Sequence, residues 1–336
     1  MKRVHVLFSG IAVALMSAYA APSSAQTVAL AADRAGTTFN TIGSGVAVVA
    51  KKYGGLNIIV RPYAGPAAWV PVLNSGEVKL GVMSANSAYQ AFSGDNEQKT
   101  AYTDLRLIRA GSATLMLGFL VRKEGPIKTY ADLKGKRISS DFGGHLSIAN
   151  SLTASLKVAG YTWKDVTSVP VAGANDGIEA LVANRLDATW ASLGQPQARE
   201  ADTQIGVRYL SIPDSPDAAA IYQEIVFPGA RITIAKANAA PGVEAPTRLL
   251  SYDSYIVANK DASGAMIAKL LDGLWKGTDD LLPIHPSMRG YTHDAAVTDA
   301  PVIPYHPAAI AFYKEKGMWT EADQKRQDEL LAQAKK

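Results

Sequence analysis

The feature that most constrains the fold is an alternation of short apolar segments with segments whose apolar residues recur at helical spacing. Over residues 27–83 the order is strand, helix, strand, helix, strand, and the first predicted helix ends at Gly54-Gly55. The predicted strands are 27–32, 57–61 and 78–83. Strands and helices that alternate over so few residues form parallel sheets with right-handed crossovers. This segment therefore predicts a doubly wound α/β sheet.

The same alternation restarts in the middle of the chain. Ser147 is predicted to cap one helix of this second unit, and Asp176 and Glu179 have the spacing of a capping box at another helix. The predicted strands of this unit are 115–122, 138–140 and 187–190, and a further helix starts at Gly194-Gln195-Pro196. The chain then returns to the first unit through a predicted strand at 255–258 and one more helix.

These two units predict two α/β lobes that face each other. We assign residues 26–120 and 250–336 to lobe I, and residues 121–249 to lobe II. Because the chain crosses between the lobes twice, the expected architecture is a clamshell in which each lobe is a doubly wound sheet with flanking helices. Ligands of open α/β sheets bind outside the carboxyl ends of the strands, where helix N-termini offer N–H groups and partial positive charge. The cleft therefore suits a small carboxylate.

The N-terminus has the pattern of a secretory signal peptide. Lys2 and Arg3 precede an apolar run from Val4, and Ser23-Ser24-Ala25 supplies the small residues of a cleavage site. We expect cleavage after Ala25, with Ala20 as a second candidate. An uncleaved anchor helix is the alternative, but the run is shorter than the ~20 residues that span a bilayer. The mature protein is thus expected to be periplasmic and not membrane-spanning, and two facing lobes favour a binding protein over an enzyme.

Composition and motifs exclude several functional classes. Residues 1–25 contain Lys2, Arg3 and no acidic residue, so their removal lowers the net charge from +4 to +2, too little for a nucleic-acid partner. The chain has no cysteine, which excludes thiol catalysis and thiolate metal sites. His285, His293 and His306 lack metal-ligand spacing, and neither a GxSxG nor a phosphate-loop motif occurs. We therefore expect no cofactor, no metal and no catalytic residue.

The candidate ligand-binding residues follow the predicted strands or begin the helices after them. They are Thr37, Thr38, Phe39, Asn40, Tyr63, Ala67, Trp69, Ser84, Asn86, Gly144, His145, Ser147 and Trp190. Each has an alternative role: threonine, serine and asparagine cap helices or form turns, whereas tryptophan packs in cores. A protonated His145 would pair with a carboxylate, so affinity would fall as the pH rises past its pKa.

Several motifs resemble those of one transporter family. They are Pro304-Tyr305-His306-Pro307-Ala308-Ala309, Phe312-Tyr313-Lys314-Glu315-Lys316-Gly317, Asp132-Leu133-Lys134-Gly135-Lys136-Arg137, Leu186-Asp187-Ala188-Thr189-Trp190 with Gly194-Gln195-Pro196, and Asn74-Ser75-Gly76-Glu77-Val78. In order and spacing the chain resembles the TAXI family of solute receptors of tripartite ATP-independent periplasmic (TRAP) transporters. The resemblance implies a periplasmic-binding-protein clamshell, a small carboxylate ligand such as glutamate or 2-oxoglutarate, and TRAP-type permease subunits as partners.

Three loops depart from the pattern of that family. They read Thr37-Thr38-Phe39-Asn40, Gly65-Pro66-Ala67-Ala68-Trp69 and Gly143-Gly144-His145-Leu146-Ser147, so indole and imidazole replace small hydroxyl and amide groups. Trp69 in particular motivates the hypothesis that the ligand is a more apolar or aromatic acid. Two other functions stay open: a binding protein of an ABC importer or sensor for a heterocyclic, thiamine-precursor-like ligand, and a secreted enzyme that uses the cleft.

Overall fold

The structure is a computed structural model that describes residues 27–95 and 99–334. The predicted signal peptide, residues 1–25, lies outside the described residues. The strands are β1 (Thr27–Asp33), β2 (Asn57–Tyr63), β3 (Leu80–Ser84), β4 (Leu105–Arg122), β5 (Arg137–Ser140), β6 (Thr167–Pro170), β7 (Ala188–Ser192), β8 (Val207–Tyr209), β9 (Arg231–Ala235) and β10 (Thr247–Asn259).

Helices follow most of the strands, as the alternation predicts. They are α1 (Thr38–Gly54), α2 (Pro66–Asn74), α3 (Ala85–Ser93), α4 (Leu146–Val158), α5 (Ala174–Val182), α6 (Pro196–Ile205), α7 (Ala218–Ile225), α8 (Gly264–Lys276), α9 (Thr278–Leu281), α10 (Pro307–Glu315) and α11 (Glu321–Gln333). Short 3₁₀ helices lie at Tyr130–Leu133, Trp163–Asp165 and Pro286–Gly290. No helix within the described ranges is long and apolar enough to cross a membrane.

The strands form one mixed sheet that joins two parallel units. The strand order is β2-β1-β3-β10-β4-β7-β5-β6, while β8 pairs with β4 and β9 pairs with β10. Pairing is parallel within β2-β1-β3 and within β7-β5-β6, but antiparallel wherever β4 or β10 takes part. We call β2-β1-β3 with its helices the first lobe, and β7-β5-β6 with its helices the second lobe. The predicted two-lobed α/β class is confirmed, and the residue limits assigned to each lobe stay a prediction.

Both lobes share the long strands β4 and β10. Residues 105–117 of β4 pair with β10, and its last residues pair with β7 and β8. The register of the β4–β10 ladder shifts between Tyr252 and Ser254, at the level of Gly111. The sequence pattern predicted only the ends of these strands, and in β4 Arg109 interrupts the apolar run. In the fold Arg109 is buried and donates to the backbone carbonyls of Leu274 and Tyr291.

Two predicted helix starts need correction. Helix α4 begins at Leu146 with His145 at the N-cap, so Ser147 does not cap it. The hydroxyl of Ser147 instead accepts a hydrogen bond from Ser87 of the other lobe. Asp176 does not form the predicted capping box, because Gly173 is the N-cap of α5 and Asp176 lies in its first turn. In contrast, the predicted helix start at Pro196 is confirmed, with Gln195 as the N-cap.

Candidate ligand-binding site

The main cavity lies between the lobes, where several strands end and several helices begin. It has a volume of about 540 Å³, part of it open to solvent. Its walls include the ends of β1, β3 and β7 and the starts of α1, α3, α4 and α6. The first N–H groups of a helix have no acceptor within the helix, and the N-terminus carries partial positive charge. The starts of α1, α3 and α4 therefore place groups that favour an anion at the cavity, whereas α6 begins with Pro196 and its Gln197 N–H donates to the carbonyl of Gly36.

The lining combines small polar groups with a larger apolar surface. Hydroxyl and amide groups come from Thr37, Thr38, Ser84, Ser87, Ser147, Ser192 and Gln195. Apolar surface comes from Phe39, Leu115, Leu117, Ile148 and Trp190, and Tyr252 of β10 also contributes. Phe119 packs edge-on against the Trp190 ring at 5.5 Å between centroids, which fixes the indole as a rigid wall. Such a lining fits an organic solute with one polar end and an apolar body.

Direct hydrogen bonds join the two lobes around the cavity. The Thr38 and Ser192 hydroxyl oxygens are 2.5 Å apart, and the Ser87 hydroxyl donates to Ser147 at 3.1 Å. Farther out, the Asn175 amide donates to the carbonyl of Ala35 at 2.9 Å. These contacts hold the cleft in a closed form. A solute in this cavity is consequently enclosed by both lobes.

An acid–base pair crosses the same cleft. Nε2 of His145 lies 3.1 Å from Oδ2 of Asp33, and both side chains are buried. Burial lowers the pKa of the His145 imidazole, but the charge of Asp33, its hydrogen bond and the Phe142 carbonyl together outweigh burial. The pKa of His145 is therefore raised above its ordinary value, although Arg34 opposes the rise. When it is protonated, the imidazole balances the charge of the Asp33 carboxylate.

Nine of the predicted binding residues line a cavity in the cleft. Those lining the main cavity are Thr37, Thr38, Phe39, Ser84, His145, Ser147 and Trp190. Ala67 and Gly144 line an adjoining cavity of about 390 Å³, which shares Ser87, His145 and Ser147 with the first. Thr37 and Ser84 also accept hydrogen bonds from backbone N–H groups as the N-caps of α1 and α3. Capping and lining are thus compatible roles for these two side chains.

The other four predicted residues line neither cavity. Trp69 is fully buried, and its ring lies against Gly81 of β3, where an added Cβ would be 2.6 Å from Cζ3. Asn40 donates to the backbone carbonyl of Asp33, and Asn86 donates to that of Ser147. Tyr63 is partly buried at the end of β2 and packs against the core. These four side chains contact the protein around the cleft and do not line its cavities.

Sequence reasoning missed some of the most informative cavity residues. Asp33 and Ser192 are the last residues of β1 and β7, each beyond the predicted strand end, and neither was singled out. Leu115 and Leu117 lie in the predicted strand 115–122 and Tyr252 lies just before the predicted strand 255–258, but none of the three was among the candidate residues. The signal for Asp33 was present, since a carboxylate directly after an apolar strand lies at the ligand-binding edge of a parallel sheet.

The histidines outside the cleft have local roles. His306 caps α10 through Nδ1 and its Nε2 contacts the carbonyl of Ala262, as expected for a residue before Pro307. His285 caps the 3₁₀ helix at Pro286–Gly290, and His293 stacks on Trp275 at 3.9 Å between centroids. Within residues 27–95 and 99–334, no three His, Asp or Glu side chains are grouped to hold a metal ion.

Known structures share this architecture. MatC from Rhodopseudomonas palustris, solved with bound malate, is 16% identical and aligns over 90% of this chain and 98% of its own, with a TM-score of 0.55. A structure described as a periplasmic transporter is 14% identical and aligns over 91% of this chain and 96% of its own, also with a TM-score of 0.55. The fold is that of periplasmic solute-binding proteins. Residues 30–317 match the NMT1-like family, and the chain therefore belongs to that family.

Proposed function

We propose that the protein is a periplasmic receptor that binds a small organic carboxylate between its lobes and delivers it to a TRAP-type permease. The observation that carries this proposal is the convergence of the starts of α1, α3 and α4 on one cavity. Helix N-termini stabilise a carboxylate by their N–H groups and partial charge without a basic side chain. MatC, which shares the fold, was solved with malate, and this supports an organic acid as the ligand.

The apolar lining favours a carboxylate with a hydrocarbon body. Trp69 is not one of these walls, because its indole packs in the core against Gly81. Phe39, Leu117 and Trp190 take its place, since they form apolar walls of the main cavity. Burial of apolar ligand surface contributes roughly 25 cal/mol per Å², so these walls add affinity that a compact, fully polar acid cannot use.

Closure of the lobes couples binding to delivery. Each hydrogen bond between the ligand and water must be replaced by one from the cleft, because an unpaired buried polar group costs about 1–3 kcal/mol. A ligand that contacts both lobes binds the closed form better than the open one and shifts the population toward it. Closure also creates a surface, formed by both lobes, by which a permease distinguishes the closed form from the open form.

The choice of a TRAP-type permease rests on the resemblance carried by residues 304–317. An ABC importer is the alternative partner. Purified receptor and candidate permeases in proteoliposomes separate the two: uptake driven by an ion gradient without ATP supports the TRAP type, whereas ATP-dependent uptake supports the ABC type.

Binding is tested by calorimetric titration of the purified protein with a panel of carboxylates. We expect one acid per chain to bind without product formation. Ser192→Asp places a negative charge on the cavity wall and should weaken carboxylate binding by at least about tenfold, since like charges ~4 Å apart repel strongly. Ser168→Asp, on the exposed face of the edge strand β6, is the matched control. Failure of every carboxylate to bind, or turnover of one, would contradict the proposal.

A further inference from the structure

The cleft contains a buried carboxylate oxygen that is available to a ligand. Asp33 is 3% exposed, and it lines both the main cavity and a smaller one of about 240 Å³ beside it. Its Oδ2 is occupied by His145, at 3.1 Å from Nε2. Among the residues that the structure describes, Oδ1 has no hydrogen-bond partner. A buried acceptor of this kind is costly unless a donor reaches it.

The charge of the cavity restricts which ligands can carry that donor. Asp33 and His145 are the ionisable side chains among the described residues of its lining, apart from the phenol of Tyr252, and no lysine or arginine is among them. Arg34 lines only the smaller cavity, is largely exposed and has Asp176 at 3.9 Å. The helix N-termini can accept one carboxylate. His145 already balances Asp33 when it is protonated, and the described lining holds no further cationic side chain to offset the charge of a second carboxylate.

We propose that the preferred ligand is a monocarboxylate that also carries a hydroxyl or ammonium group, which donates a hydrogen bond to Oδ1 of Asp33. This inference rests on the proposed function and narrows its ligand class. The position of Asp33 explains how one small molecule reaches both features. Asp33 ends β1, and α1 begins five residues later at Thr38, so the acceptor and a helix N-terminus lie at the same edge of the sheet. A small compound that carries both groups can therefore reach both features.

The same geometry disfavours dicarboxylates and carboxylates without a donor. The first class brings a second charge toward Asp33, and the second class leaves Oδ1 buried and unpaired. Sites built to hydrogen-bond a ligand group reject analogues that lack it, because their own polar groups are left without partners. Asp33 is thus the residue that sets specificity.

A matched ligand series tests the proposal on the wild-type protein. Phenylalanine, phenyllactate, 3-phenylpropanoate and benzylmalonate share one body and differ in a single substituent, and the corresponding isobutyl compounds repeat the series with a smaller body. Any other acid found by the general carboxylate panel is compared with its own analogue without the donor. We expect the donor-bearing acid to bind about tenfold or more tightly than its partner without the donor, and the dicarboxylate to bind more weakly still.

The comparison of the ammonium and hydroxyl compounds identifies the donor. Asp33→Asn should reduce the preference for a donor at least about fivefold and should improve dicarboxylate binding, while Asp214→Asn, on an exposed loop, leaves both unchanged. If Asp33→Asn does not fold, the wild-type series still decides. A carboxylate that binds equally well with and without its donor, or a dicarboxylate as the tightest ligand, overturns this inference and leaves the proposed function intact. Failure of all carboxylates instead overturns the proposed function.

Discussion

The hydroxyl of Thr38 at the start of α1 lies 2.5 Å from the hydroxyl of Ser192 at the end of β7, across the cleft. The two residues are 154 positions apart, and neither belongs to a strand shared by the lobes. Their contact therefore exists only when the lobes are closed. Together with the Ser87–Ser147 hydrogen bond, it links closure directly to the wall of the ligand cavity.

Removal of this contact should shift the protein toward an open form. Thr38→Val keeps the shape of the side chain and deletes the hydroxyl, and a hydrogen bond contributes about 0.5–1.5 kcal/mol. We expect ligand affinity to fall by roughly 2- to 12-fold and the radius of gyration of the ligand-free protein to increase in small-angle X-ray scattering. Thr167→Val, on the exposed strand β6, is the control. An unchanged scattering profile together with unchanged affinity would show that the contact does not govern closure.

Stability should depend on pH through the pair formed by His145 and Asp33. Since the folded state raises the pKa of His145 despite burial, the stabilisation is fully present below the unfolded pKa of about 6.5. It is lost as the pH rises through the higher folded pKa. The difference in unfolding free energy between wild type and His145→Gln, measured by urea titration at several pH values, should therefore shrink from pH 6 upward. A difference that grows with pH would contradict this assignment.

Ligand affinity should follow the same titration. The protonated pair carries no net charge, whereas deprotonation of His145 leaves the Asp33 carboxylate uncompensated beside a bound anion. Arg34 and Asp176, which line the smaller cavity of about 240 Å³, are the nearby charges that modulate this effect. We expect calorimetric titrations of wild type to show weaker carboxylate binding as the pH rises above 6.5, and His145→Gln to show a flatter profile. Equal pH dependence in both proteins would exclude His145 as the titrating group.

The two buried tryptophans should behave differently when shortened. Trp69 packs against Gly81 in the core, so Trp69→Ala should lower the free energy of unfolding by about 3–5 kcal/mol while ligand affinity changes little. Trp190 is equally buried but lines the main cavity, so Trp190→Phe should weaken binding of apolar acids more than it affects stability. Chemical denaturation and calorimetry on both variants separate the two roles. If folded Trp69→Ala loses more ligand affinity than Trp190→Phe does, the roles assigned to the two tryptophans are wrong.

Rotation of one lobe relative to the other should be sensitive to substitution of Gly111. This residue of β4 lies beside the register shift near Tyr252, and an added Cβ would overlap the ring of Tyr291. Overpacking of this kind costs about 1–3 kcal/mol. Gly111→Ala should therefore lower the melting temperature and alter the ligand-induced change in scattering. Gly135→Ala, at an open turn, loses stability only through its positive φ of 72° and should leave that change intact.

The sequence predicted the lobes better than their connection. Alternating apolar segments located β1, α1, β2 and α4 to within a few residues, because local periodicity reflects which face of an element is buried. The long strands β4 and β10 were incomplete in the prediction, since their burial depends on packing against both lobes and includes Arg109. No local pattern indicates that a buried arginine is satisfied by carbonyls more than 160 residues away in the chain.

The residues of the candidate site were also predicted only in part. Ser84 was identified because it directly follows a predicted strand and His145 because it precedes a predicted helix, whereas Asp33 was not among the candidate residues. Trp69 and Trp190 both stand where a strand meets a helix, and only packing against Gly81 determines that the first belongs to the core. Position in the chain predicts which edge of the sheet a residue occupies, and the three-dimensional packing decides which way the side chain faces.

The central claim is that one small carboxylate occupies the cleft between the lobes. Native mass spectrometry of protein purified from an extracytoplasmic compartment without refolding tests it most directly. The account predicts a single acid of low mass per chain, which is present in wild type and in Ser168→Asp, reduced in Ser192→Asp, and restored to wild type stripped of ligand by adding that acid. Wild-type protein that carries no acid and gains none from a carboxylate panel, or an acid retained equally by Ser192→Asp, would contradict it.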